Sequence, residues 1–411
     1  MRRVAVTGLG VISPVGNDVE TFWNNLKNGV NGIDFITRFD TTDFKVKLAA
    51  EVKDFDPSLY MDKGEIRRND LFVRYAVAAA LQAVNDSKIS GNIDPDRFGV
   101  YFGSGIGGFE TLISEHDNFL AKGPSRVSPH FVPKMISNMG AGNIAIKVNA
   151  KGPCVSFTTA CATGSTSIGE AYRAIAGGYA DAIVAGGVDA AISPLAVAGF
   201  TNLTALCEGT DKDAASIPFD KRRNGFVMGE GAGALILEEY EHAKARGAVI
   251  YAEMCGYGST CDAHHVTAPD DSADASSKAI IECLKCSGKK FAPEKTYFNA
   301  HGTSTPLNDK TETKAIKLAF GDDAKKISVS STKSMTGHLL GAAGAIEAIA
   351  SIKALNDNIV PPTINYKEPD ELCDLDITPN KAVEKELELV LSNNLGFGGH
   401  NACVAFCKAE G

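Results

Sequence analysis

The sequence predicts an α/β protein made of two halves that share one plan. Three observations carry this prediction. Strand-like and helix-like stretches alternate along the chain, the alternation starts afresh near Val249, and each half contains a β-prone run that opens into a helix of small residues. In the first half, residues 4–7, 99–102, 181–185 and 233–238 read as strands, while residues 71–85 and 164–176 carry apolar side chains at helical spacing. In the second half, residues 250–258 read as a strand, 272–285 as a helix, 296–300 as a strand and 309–320 as a helix. A strand at 327–331, a helix at 341–356 and closing strands at 387–394 and 402–407 complete it. The internal correspondence pairs Thr158-Thr159-Ala160-Cys161-Ala162-Thr163-Gly164 with Ser330-Ser331-Thr332-Lys333-Ser334-Met335-Thr336-Gly337. The division falls between residues 1–249 and 250–411, and Pro361-Pro362 reads as a turn rather than a linker.

Composition narrows the function classes. The chain has 411 residues, 44% hydrophobic and 22% charged, with 41 glycines, which excludes a disordered, collagen-like or coiled-coil protein. No apolar run approaches the ~18–20 residues of a membrane span. A net charge of −9 argues against nucleic acid as the main partner. Met1-Arg2-Arg3 leads straight into a strand signal, so no secretory leader is expected, and the ten cysteines read mostly as buried small hydrophobes of a reducing cytosol. Cys283-Leu284-Lys285-Cys286 is a lone CxxC without a second pair and gives no zinc site.

Four segments carry chemistry. Gly103-Ser104-Gly105-Ile106-Gly107-Gly108 follows a strand and fits G-x-G-x-x-G, yet no acidic residue stands about 20 positions on, so close backbone packing beside a pocket is the better reading. Cys161 sits between a strand and a small-residue helix, where free N–H groups and the helix dipole are expected to lower a thiol's pKa; a buried structural cysteine is the alternative. Two of the eight histidines, His301 and His338, lie in Gly/Ser/Thr-rich turns after strands, where α/β proteins place ligands. One cysteine with two such histidines points to acyl transfer through a thioester. Finally, Asn393-Asn394-Leu395-Gly396-Phe397-Gly398-Gly399-His400-Asn401 reads as a loop whose N–H groups can hold an oxyanion; an ordinary hairpin turn is the alternative.

Taken together, Thr159-Ala160-Cys161, Asn299-Ala300-His301-Gly302-Thr303-Ser304-Thr305, Ser331 through His338 and Gly396-Phe397-Gly398-Gly399 resemble the β-ketoacyl-acyl carrier protein synthases, closest to the type II elongating enzymes. The resemblance runs from Val6-Thr7-Gly8-Leu9-Gly10 to the last strand. It implies a thiolase fold, with duplicated βαβαβαββ halves in a five-layer αβαβα sandwich, usually in a cytoplasmic homodimer of the bacterial cytosol or plastid stroma. It makes Cys161 the acyl acceptor, His301 and His338 the donors to the malonyl enolate, and the N–H groups of Cys161 and Phe397 a second oxyanion hole. Lys333 is implied to sit near a histidine and an acidic residue, with Glu312 as the candidate.

The same resemblance assigns Thr303 and Thr305 to the phosphopantetheine arm, Ile106 and Phe200 to the acyl pocket, and Phe397 to its gate. Lys63, Arg67, Arg68 and Arg126 fall where the family docks acidic acyl carrier protein, acyl- or malonyl-loaded, although Thr204 and Ser125 replace bases common there. No cofactor is required, since phosphopantetheine arrives on the carrier. Some members hold Na+ or K+ with Asn299, Ala300, Glu347, Ser392 and Asn393. A polyketide ketosynthase, a degradative thiolase and a non-catalytic chain-length partner are the competing readings. The decarboxylating Thr-Gly-His context counts against the thiolase, and the presence of Cys161 against the chain-length partner.

Overall fold

The structure, a computed structural model, describes residues 1–288 and 290–409. Its first half runs β1 (Val4–Ile12), α1 (Leu71–Ser87), β2 (Phe98–Ser104), α2 (Met139–Val148), β3 (Cys154–Val155), α3 (Thr163–Ala176), β4 (Ala182–Asp189) and β5 (Gly231–Glu239). The second repeats the order: β6 (Ala252–Cys261), α4 (Asp274–Ser287), β7 (Thr296–Asn299), α5 (Pro306–Phe320), β8 (Ser328–Ser330), α6 (Ala343–Asp357), β9 (Leu389–Gly396) and β10 (His400–Cys407). Each half is therefore βαβαβαββ.

Across the sheet the strands lie β8-β7-β9-β10-β6-β1-β5-β4-β2-β3, so the second half's order mirrors the first about the β6/β1 junction. Only Val4–Val6 and Ala252–Met254 pair there, antiparallel. Helices α3 and α6 pack against each other and against strands of both halves, α1 and α2 cover the outside of the first half, and α4 and α5 that of the second. Helix–sheet–helix–sheet–helix is the resulting order of layers.

Local chemistry explains the layers. The α6 segment buries Ala343 through Ser351 without a break, as an internal helix enclosed between two sheets must. Strand β1 is buried along all nine residues because α1 covers one face and the central helices the other. It continues past the expected 4–7 to Ile12, since Gly8 and Gly10 let α1 lie directly on it: a Cβ there would come 2.2 Å from the Ala83 carbonyl oxygen and 2.0 Å from that of Ala79. Strand β9 likewise runs past the expected 394 to Gly396, so Asn393 and Asn394, where the strand and loop expectations overlap, are strand residues with buried side chains, and the turn spans only 397–399. Helices Val19–Lys27, Phe109–Lys122 and Pro194–Asn202 had no counterpart in the sequence reading. Among the described residues, no helix is long and apolar enough to cross a membrane.

Candidate active site

Cys161 lies in the single turn Ala160–Ala162 that leads into α3. Ala160 just before it holds φ +49, a left-handed conformation that costs a non-glycine residue roughly 1–3 kcal/mol. The second half repeats this elbow at Leu340–Ala342 ahead of α6, with Leu340 at φ +52. Gly341 is thus the counterpart of Cys161, which corrects the expected pairing with Ser330–Gly337. That segment does form a helical turn, Lys333–Thr336, but the chain leaves it at Gly337 before α6 begins.

The thiol also departs from expectation. The backbone N–H groups of Phe397 and Cys161 reach its sulfur, and they and Lys333 pull its pKa down. Burial outweighs them and, with Asp189 adding to it, pushes the thiol up to about 12. Resting Cys161 is therefore a neutral thiol that needs a proton acceptor, because the helix start supplies less than burial takes away. Gly396 is pressed onto this elbow, where a Cβ would stand 2.4 Å from the Thr159 carbonyl oxygen and 3.3 Å from the Cys161 nitrogen. Gly396→Ala is expected to displace the sulfur or its N–H donors and cut turnover by ~10²-fold, as an ångström-scale misplacement does; steady-state kinetics with unchanged protein stability check it.

His301 follows β7 after one intervening residue, Ala300, and His338 follows the Lys333–Thr336 turn. Their rings meet edge to face, centroids 5.1 Å apart at 87°. His338 is pinned through its backbone, its N–H donating to the Val227 carbonyl at 2.7 Å and its carbonyl accepting from the Gly229 N–H at 2.8 Å, with the Phe226 ring 5.2 Å away. Burial first, then the Lys333 cation, hold both imidazoles well below the usual histidine value; His338 adds to the effect on His301. Both are neutral through the physiological range. A reaction that needs two neutral rings is then expected to keep a flat rate from pH 8 to 6, with no fall through the ordinary histidine pKa of ~6.5. A pH–rate profile of the decarboxylation step, read in the absence of acyl donor, checks this.

Lys333 is buried to 1% exposure, and its Nζ lies 2.5 Å from Oε1 of Glu347, equally buried on α6. Its acidic partner is therefore Glu347, not Glu312. Glu312 instead anchors the His301 loop, accepting from the His301 N–H at 2.7 Å, the Gly302 N–H at 2.8 Å and Asn393 Nδ2 at 2.8 Å. Burial raises the Glu312 carboxyl to about 7. The other oxygen of Glu347 accepts from Asn394 Nδ2 at 2.8 Å. Both oxygens of Glu347 are thus engaged, so it fits poorly as a cation ligand. Among the described residues, Asn299 Oδ1, Ser392 Oγ and Asn393 Oδ1 are buried without hydrogen-bond partners, a neutral oxygen set suited, with the Ala300 carbonyl, to a monovalent ion.

The Gly103–Gly108 loop does hold an anion, but one from its own chain. Asp189, at the end of β4, accepts from Ser104 Oγ at 2.7 Å, the Gly105 and Ile106 N–H groups at 3.1 Å, and the Gly341 N–H at 2.7 Å. Asp189 escaped the sequence reading because it stands far along the chain from the loop it fills.

A cavity of about 400 Å³ is lined by Cys161, His301, His338 and Phe397, with Phe200 among its apolar walls. Thr303 and Thr305 line it too, their hydroxyls 3.0 Å apart. Ile106 packs in the apolar cluster that includes Cys161 and Phe200 without lining the cavity itself. Lys63, Arg67 and Arg68 on the short helix Lys63–Arg68, and Arg126 in the turn Pro124–Arg126, are all exposed. Thr204, where a base was expected, lines the cavity.

An elbow cysteine, two neutral histidines and a Gly-Phe-Gly-Gly turn converging on one cavity, between mirrored βαβαβαββ halves, define a condensing enzyme of the thiolase type. The chain belongs to the β-ketoacyl synthase family: its N-terminal domain model matches residues 1–243 and its C-terminal domain model residues 251–367. Within that family it is 52% identical over 412 residues to the 3-oxoacyl-[acyl-carrier-protein] synthase 2 of Synechocystis sp., covering 100% of this chain and 99% of the relative. It is 51% identical over 410 residues to the protein of the same name in Staphylococcus aureus, with the same coverage. Among solved structures, a ketosynthase in complex with its type II polyketide acyl-carrier protein matches with a TM-score of 0.90 and 34% identity, covering 100% of both chains.

Proposed function

We propose that this chain is an elongating 3-oxoacyl-acyl carrier protein synthase, which lengthens a cysteine-bound acyl chain by two carbons through decarboxylative condensation with malonyl-acyl carrier protein. One observation carries the assignment of roles: the Cys161 sulfur lies against the N–H groups of Cys161 and Phe397, and the same cavity holds two imidazoles that burial and Lys333 keep neutral. In the first half-reaction the sulfur attacks the acyl thioester, the oxyanion rests on the two N–H groups, and the carrier thiolate leaves. His338 takes the thiol proton and returns it to that thiolate; among the described residues its Nδ1 has no hydrogen-bond partner to fix its tautomer. In the second, malonyl thioester loses CO2, and His301 and His338 donate to the enolate oxygen. Neutral donors stabilise the enolate without protonating it, so its carbon attacks the acyl-cysteine.

Thr303 and Thr305 are assigned to the pantetheine arm, Phe200 and Ile106 to the acyl wall, and Phe397 to the gate. Lys63, Arg67, Arg68 and Arg126 are assigned to acidic acyl carrier protein. A monovalent ion on Asn299, Ala300, Ser392 and Asn393 would brace the strand ends beneath His301. The open edge of β3, beside exposed Ile146 on α2, is where a homodimer of this cytoplasmic enzyme would join. The test is incubation with malonyl-acyl carrier protein and acyl donors of graded length. A 3-oxoacyl product two carbons longer, formed with one CO2, is expected; release of neither from any donor would overturn the reading.

A further inference from the structure

Asn394 stands near the end of β9, fully buried, and touches three parts of the site at once. Ser165 Oγ, on the nucleophile's helix α3, donates to its Oδ1 at 2.5 Å. Its Nδ2 donates to Glu347 Oε2 at 2.8 Å and lies 3.4 Å from His301 Nδ1. Glu347, paired with Lys333, is a carboxylate and only accepts, so the amide must turn its nitrogen toward Glu347 and its oxygen toward Ser165. One amide hydrogen then serves Glu347, and the second faces His301 Nδ1. An N–H directed at Nδ1 requires a lone pair there, which leaves the ring proton of neutral His301 on Nε2.

We propose that Asn394 is a positioning residue that sets the tautomer of His301, fixing an Nε2–H donor toward the substrate cavity. This rests on the decarboxylating reading and deepens it, because that reading needs the proton on Nε2. It also divides the labour between the two rings. His301 is locked as a donor and cannot accept the Cys161 proton at Nε2, whereas His338, its Nδ1 unpartnered among the described residues, can change tautomer between the two half-reactions.

Asn394→Leu keeps the volume and removes the donor. It is expected to lower kcat for CO2 release roughly 10- to 100-fold, as loss of an orienting partner does for metal-bound imidazoles, with KM for malonyl-acyl carrier protein within about twofold. Acyl loading of Cys161, read by mass spectrometry, should change by less than about threefold. In a His301→Ala background the same substitution should cost nothing further, because its effect passes through His301. Equal loss in both half-reactions, or costs that add in the double variant, would overturn the proposal and leave Asn394 a structural residue. Should the leucine variant not fold, nitrogen-15 histidine NMR of the unmodified enzyme decides: a single Nε2–H signature for His301 supports the proposal and an Nδ1–H signature sinks it. That spectrum needs no turnover, so it separates this inference from the reading it rests on; an unmodified enzyme that releases no CO2 refutes only the latter.

Discussion

Cys161→Ala is expected to abolish condensation completely while CO2 release from malonyl-acyl carrier protein continues. Loading needs a sulfur, and alanine offers none. Decarboxylation needs only a bound malonyl thioester and donors for its enolate oxygen, and both imidazoles survive the substitution. His301→Ala and His338→Ala should do the opposite. Each removes one donor aimed at developing charge, a loss worth ~10²–10³ in rate, or ~3–4 kcal/mol. The backbone N–H pair at Cys161 and Phe397 is intact in both, so acylation of the cysteine persists. It should be slower in His338→Ala than in His301→Ala, since His338 is the ring free to take the thiol proton. Labelled CO2 release and acyl-enzyme mass spectrometry on the three variants read both steps. Loss of CO2 release in Cys161→Ala together with its retention in both histidine variants would reverse the roles.

What the sequence disclosed divides along a physical line. Cys161, His301, His338 and the Gly-Phe-Gly-Gly turn were legible because each sits in a short segment of small residues whose local geometry follows from its composition. The pKa of Cys161 was not. The dipole and N–H groups at its helix start are local and were read correctly in sign, but burial of the elbow between the halves is tertiary, and it prevails. The partner of Lys333 was misassigned for a similar reason. Glu312 and Glu347 both lie on helices near the motif, and only the burial of α6 between the sheets brings Glu347 to the lysine. Asn393 and Asn394 fall where the strand expected over 387–394 overlaps the Gly-rich loop expected over 393–401, and asparagine disfavours strands. They are tolerated in β9 because each side chain donates to a buried carboxylate, Glu312 and Glu347 respectively. The glycine-rich loop after β2 reads as close backbone packing, but its occupant, Asp189, emerges only when β4 folds beside it.

Lys333→Ala is expected to cost ~3–5 kcal/mol of stability, the usual penalty for leaving one charge of a buried pair alone. The pair is enclosed to 1% exposure on both sides, so water does not replace the lost ammonium. The penalty should come from the stranded Glu347 carboxylate rather than from lost packing, which predicts a rescue. Lys333→Ala combined with Glu347→Gln removes the orphaned charge and leaves an amide oxygen for Asn394 Nδ2, so most of the stability should return. Denaturant midpoints of the two single variants and the double variant measure this coupling. Activity should part from stability in the double variant. The Lys333 cation helps hold His301 and His338 below the usual histidine range, so without it both pKa values rise. A raised value protonates the rings as pH falls, and a protonated ring quenches the enolate instead of stabilising it. Burial still lowers both rings in the double variant, but without the cation its CO2 release should begin to fall at a higher pH than in the unmodified enzyme. A Lys333→Ala protein as stable as the parent would show that the pair carries no burden of desolvation. An acid limb at the same pH in the rescued variant and the parent would show that Lys333 does not bear on the histidines' protonation.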